Sequence, residues 1–278
     1  MSESPLITEP APGVRWITLN RPSKKNAFDD AQWDGFADAL RAANADDDVA
    51  VAVVTGAGGD FSAGVDLSSF MGGARARTGQ FASGYDNTMD ALIAFEKPLL
   101  AAASGVCVGF GATFLFHCDC VYLGESARLR LPFVRLGLVP EGASSYLLQA
   151  LIGPRRASEL MFTAEWIPAA RALEAGIATS VHPDASVHGV ALAKAREIAQ
   201  FPVSALRETK RTLRAAHAAG LRSALAAEAA GMKAQAGSVE NQEAVRAFVE
   251  KREPDFRAAR ARALAGRAAG AAGDEKLR

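Results

Sequence analysis

Residues 97–133 read KPLLAAASGVCVGFGATFLFHCDCVYLGESARLRLPF, and this stretch decides the fold. The apolar run at 99–103 predicts a strand, which stops at a turn carrying Gly105, Gly109 and Gly111. A helical pattern follows the turn, and residues 119–124 predict another strand. Toward the N-terminus the alternation repeats. Residues 49–54 predict a buried strand ended by Thr55-Gly56, and residues 14–19 one ended by Asn20-Arg21-Pro22. Between them a helix starts near Asp29 or Asp30, with Trp33, Phe36, Ala37 and Leu40 on its apolar face. Residues 72–90, rich in Gly, Ala and polar groups, predict a mobile segment leading into a helix toward Phe95. Residues 1–12, with Pro5, Pro10 and Pro12, read as a frayed leader. Strand and helix patterns in alternation predict an α/β fold with crossover connections.

Beyond Gly142 the pattern turns mostly helical, with a brief strand possibility at 177–181. Ala-rich helical runs fill 186–250, with breaks expected at Phe201-Pro202, Gly220 and Gly237-Ser238. The expected organisation is an α/β core over 13–200, a helical C-terminal region over 201–256 and an unanchored tail over 257–278. The 278 residues include 49% hydrophobic side chains, ample for a core, and 31 basic residues balance 31 acidic ones. Without a basic surplus, general nucleic-acid binding is not expected. No apolar run is as long as a membrane span, and the first residues lack the layout of a secretion signal. Cys107, Cys118 and Cys120 cannot close a disulfide framework and read as reduced thiols, so a soluble cytoplasmic protein is expected.

Two glycine-punctuated turns carry the functional signal, FSAGVDL from Phe61 and SGVCVGFGATF from Ser104. Each follows an apolar run and leads into a helical pattern, which leaves N–H groups free to stabilise a developing negative charge. Either turn alone also reads as an ordinary strand-to-helix loop, with Gly64 for backbone freedom and Asp66 as a cap. The second is no dinucleotide fingerprint, because its glycine spacing is wrong. Downstream, Leu138-Val139-Pro140-Glu141-Gly142-Ala143-Ser144-Ser145-Tyr146 adds one carboxylate. Two anion-binding turns and one carboxylate point to proton transfer beside a polarised carbonyl.

With the opening TLNRPSKKNAF and the closing AVRAFVEKREPDF, these segments resemble the crotonase superfamily, the enoyl-CoA hydratase/isomerase fold, from about residue 14 to about residue 252. The resemblance implies a spiral of ββα turns with a helical C-terminal region that assembles a homotrimer or a dimer of trimers. It implies an acyl-CoA thioester substrate, with coenzyme A as part of the substrate and no separate cofactor or metal. Matched motif to motif, it gives the thioester oxygen to the backbone N–H groups of Ala63 and Phe110.

Hydratases of this superfamily carry two glutamates, one after the second glycine turn and one after a proline. This chain has Thr113 and Phe133 at those places, and neither can serve as a general acid or base. Glu141 instead stands where peroxisomal-type Δ3,Δ2-enoyl-CoA isomerases carry a single base. The apolar neighbours Phe133, Val134, Leu136 and Leu138 would desolvate it and raise its pKa above the ordinary carboxylate range. The resemblance places Lys24, Lys25, Ala27, Gly64, Val65, Asp66 and Leu67 along the coenzyme A moiety. It also places Phe248 and Lys251 there, reaching across a subunit boundary.

The run His117-Cys118-Asp119-Cys120 lacks a second ligand pair at zinc-site spacing and reads as core thiols with a structural Asp. His182, His188 and His217 read as isolated surface residues, and Ser144 and Ser145 as helix-start residues with no triad order. A Δ3,Δ2-enoyl-CoA isomerase is the expectation. A hydratase with an unusual water and a non-catalytic acyl-CoA-binding protein are the alternatives.

Overall fold

A computed structural model describes residues 4–66 and 83–275. Nine strands fall in two sheets among the described residues. The larger has the order β1-β2-β3-β4-β6-β9, and the smaller has the order β5-β7-β8. In the larger sheet β1 (Leu6–Ala11) pairs antiparallel with β2 (Val14–Leu19). From β2 the sheet runs parallel through β3 (Val51–Gly56), β4 (Leu99–Ala103), β6 (Cys120–Gly124) and β9 (Ser180–His182). This is the α/β architecture expected.

Alternation along β3 explains its unbroken apolar run. Val51 and Val53 face a cluster with Val187, Ala191 and Ala195 of a later helix, while Ala52 and Val54 face the main core. A parallel strand covered on both faces has no side left for polar residues. On the core side lie α1 (Asp30–Ala45), capped by the Asp29 carboxylate on Gln32 N–H, and α2 (Ser83–Ile93). Trp33, Phe36 and Leu40 of α1 are fully buried, as its periodicity predicts.

The smaller sheet is β5 (Val106–Val108), β7 (Arg128–Arg130) and β8 (Trp166–Pro168). Three-residue strands are too short to show a period, so none was foreseen. Between β5 and β6 stand α3 (Phe110–Thr113) and a 3-10 turn, Phe114–His117. After β7 come α4 (Ser144–Ile152), α5 (Pro154–Thr163), α6 (Ala169–Ala175) and α7 (Asp184–Ile198), the last being the helix against β3. The C-terminal region holds α8 (Val203–Ala215), α9 (Ala218–Gln235), α10 (Val239–Val249) and α11 (Phe256–Glu275). Lys210 Nζ of α8 donates to Lys97 O, and Asn241 of α10 donates to Leu136 O, so these helices pack on the core of their own chain.

Three expectations change. Leu6–Ala11 is not a frayed leader but an edge strand, where Pro10 is tolerated beside a register irregularity. Gly220 does not end a helix, because the break falls at Ala216–His217. Inside α9, Gly220 instead lies so close to Tyr146 that a Cβ would overlap the ring. The tail from 257 is helical, with Ala259 buried and Arg262 reaching Glu243 at 3.7 Å. Residues 67–82, most of the segment expected to be mobile, lie outside the described residues, and Leu67 with them.

Candidate active site

The two glycine turns meet at the C-terminal ends of the parallel strands. Asn26, fully buried with φ 54°, ties the first turn down. Its amide donates to Ala57 O and Asp60 O, and its Oδ1 accepts Arg21 N–H. Ser62 Oγ donates to Asn26 O at 2.8 Å and accepts Gly64 N–H. Gly64 has φ 80°, and a Cβ there would overlap Val108 O and lie 3.2 Å from Phe110 N. Glycine is required at that contact, because it lets the two turns touch.

Ala63 is not the open donor the resemblance assigned. Its N–H donates to Lys25 O at 2.8 Å. The neighbouring bridge uses Gly64 O and Asp66 N–H with Phe28, which leaves the Val65 N–H between them. Among the described residues, the N–H groups of Val65 and Phe110 donate to no protein oxygen. Phe110 opens α3 after Gly109 at φ 53°, where a first-turn N–H has no intrahelical partner. The free pair is therefore Val65 with Phe110.

Glu141 lies in a loop of left-handed residues, with Gly137 at φ 64°, Gly142 at φ 69° and Ala143 at φ 56°. It precedes α4 and is 4% exposed. Thr113 Oγ1 donates to its Oε1 at 3.0 Å, and the Tyr85 hydroxyl bonds the carboxylate as well. Its Oε2 is buried and finds no partner among the described residues. Burial raises its pKa from about 4.5 to about 7, against the lowering effect of the Tyr85 and Thr113 bonds and with a smaller upward push from Glu228. The desolvation expected of its apolar neighbours is present, except that Val134 is exposed.

Residues that sequence reading missed hold this loop. Tyr85 OH accepts Gly142 N–H at 2.8 Å, and His117 Nε2 sits 2.7 Å from Gly142 O. Burial lowers the His117 pKa to about 4, so the ring is neutral and donates that proton. Glu228 Oε2 accepts Ala143 N–H at 2.7 Å, and its Oε1 accepts Ser145 N–H at 2.8 Å. None of the three has a local signal, because each partner is at least 25 positions away. In the same His117–Cys120 run, Cys118 Sγ lies 3.7 Å from Phe114 O. Asp119 accepts Leu99 N–H and pairs with Lys210 at 2.8 Å.

Phe110, Phe133, Leu136, Leu138 and Met232 enclose Glu141 in a chamber of about 100 Å³. It shares Ala63, Val65, Val108, Pro132 and Leu136 with an outer groove of about 800 Å³. Lys24, Ala27, Asp66, Phe248 and Lys251 all line that groove within one chain, so Phe248 and Lys251 reach it without crossing a subunit boundary. Asp66 is held by Arg21 at 3.3 Å. Lys25 does not line the groove, since its Nζ pairs with Asp60 at 3.3 Å. An apolar chamber with one carboxylate, two free N–H groups and a partly basic outer groove can deprotonate carbon beside a carbonyl on a long, anionic thioester.

Comparison with known proteins agrees with this geometry. A family model described as enoyl-CoA hydratase/isomerase matches residues 9–259. 2,3-Dehydroadipyl-CoA hydratase of Escherichia coli K12 is 33% identical over 254 residues, covering 91% of this chain and 99% of that protein. Human enoyl-CoA delta isomerase 2 is 33% identical over 213 residues, covering 75% of this chain but only 54% of that longer protein. Among solved structures, an enoyl-CoA hydratase/isomerase from Pseudoalteromonas atlantica T6c superposes with a TM-score of 0.84 at 33% identity, covering 91% of this chain and 99% of its own.

Proposed function

The chain belongs to the enoyl-CoA hydratase/isomerase family, and from that premise we propose that it moves the double bond of a 3-enoyl-CoA to the 2-position. Glu141 takes a proton from C2 as the carbon's electron pair moves toward the thioester carbonyl. The N–H groups of Val65 and Phe110 hold the resulting dienolate oxygen. Glu141 returns the proton to C4, so that no atom is gained or lost. Lys24 and Lys251 face the phosphates of coenzyme A, which serves as part of the substrate, and no metal or separate cofactor takes part.

The observation that carries this reading is the single carboxylate. Glu141 has one oxygen held by Thr113 and the other without a partner among the described residues, in a residue that lines the chamber. Thr113 and Phe133 stand where the superfamily's hydratases place their two glutamates, and here one is a donor to Glu141 and the other an apolar wall. A pKa of about 7 suits a group that must both accept and return a proton near neutrality. The similarity to a dehydroadipyl-CoA hydratase favours hydration as the second reading. Absorbance of the conjugated thioester separates the two, because isomerisation of a 3-enoyl-CoA raises it and hydration of a 2-enoyl-CoA lowers it. The expected result is a clear rise with negligible fall. Hydration at a comparable rate would overturn the proposal.

A further inference from the structure

Glu228 is the second buried carboxylate beside the site, and the proton transfer does not use it. It sits on α9, is 7% exposed, and has no cationic partner among the described residues. Leaving a carboxylate there costs free energy unless hydrogen bonds replace its water. Two such bonds do so. Each oxygen takes one N–H at the start of α4, from Ala143 and from Ser145, with the favourable end of that helix facing the charge. Ala143 is fully buried and sits in a left-handed conformation at φ 56°, while Ser145 is half-buried. Gly142, the residue between this clamp and Glu141, is held by Tyr85 and His117. One helical turn beyond Glu228, Met232 forms part of the chamber wall, and Gly231 packs against Val139.

We infer that Glu228 is a positioning residue for Glu141: α9 reaches through its carboxylate to the backbone of residues 143 and 145 and fixes where the base points. This rests on the proposed role of Glu141 as the base. The groups facing the pair are Tyr85 from α2, Thr113 and His117 from the α3 turn, and the Ser145 hydroxyl from α4. The Glu228 charge pushes the Glu141 pKa upward, whereas the Tyr85 and Thr113 bonds push it downward. The charge of Glu228 acts on the ionisation of Glu141 through space, whereas the aim of the base depends on the reach of the clamp, so turnover at unchanged charge reports the positioning.

The test compares wild type, Glu228→Gln and Glu228→Asp by exchange of the C2 proton of butyryl-CoA in heavy water, followed against pH. Double-bond migration and thermal melting are recorded alongside. Glu228→Gln keeps the shape and removes the charge. Its turnover should fall roughly ten- to a hundredfold with KM within threefold, since small misplacements of a catalytic group cost about that much. Its acid limb should move below the wild-type midpoint near pH 7. Glu228→Asp keeps the charge but shortens the reach, so its turnover should fall with the limb unmoved. Wild-type turnover in folded Glu228→Gln or in folded Glu228→Asp would overturn the assignment, whatever the limb does. If wild type exchanges the proton without moving a double bond, the isomerase reading fails and the clamp is still judged by the variants. If wild type neither exchanges the proton nor moves a double bond, both fail, because Glu141 is then not a base.

Discussion

Glu141 binds its proton in the folded chain up to about pH 7, whereas the ordinary value is about 4.5. Between those values the folded state holds the extra proton, so stability falls as pH rises through that window. The charged form then costs the fold on the order of 3 kcal/mol above pH 7. Glu141→Gln should therefore melt at a higher temperature than wild type at pH 8 and show little difference at pH 4. The same variant should lose at least about a hundredfold in turnover with affinity for coenzyme A esters nearly unchanged. Activity within threefold of wild type would remove Glu141 from the mechanism. Tyr85→Phe deletes a bond that lowers the Glu141 pKa, so the acid limb of its rate profile should rise above pH 7. It also strands the buried Gly142 N–H at a cost of about 1–3 kcal/mol, readable by denaturant melting. Glu141 was legible in the sequence because its segment has a recognisable order. Val65 was not, because the partner that occupies Ala63 is the carbonyl of Lys25, 38 positions earlier.

At the scale of elements, function depends on how closely the two glycine turns approach. Val65→Pro removes one free N–H and should abolish turnover, with circular dichroism confirming that the fold persists. A folded and active Val65→Pro protein would show that this N–H does not hold the thioester oxygen. Gly64→Ala should be worse tolerated than either neighbour, since it adds a Cβ against Val108 O at φ 80°. The strands and helices with long periodic runs were legible, including β2, β4 and α1 with its Asp29 cap. The smaller sheet was not, since β5, β7 and β8 are shorter than any period. Gly220 misled because helix propensity counts its flexibility and cannot count Tyr146 packed against it.

Across the whole molecule, the C-terminal helices complete the site of their own chain. Lys251→Ala should raise KM for full coenzyme A esters and leave that for short pantetheine thioesters almost unchanged, which reports lost ground-state binding. Equal effects on both substrates would make Lys251 structural. The supports of the Glu141 loop lie far apart along the chain. Thr113 is 28 positions before Glu141, Tyr85 is 57 before Gly142, and Glu228 is 85 after Ala143. A nascent chain synthesised past residue 182 already holds every described strand, yet the clamp at residue 228 has not been made. The base is therefore aimed by an element that lies, along the chain, beyond every described strand of the scaffold that carries it.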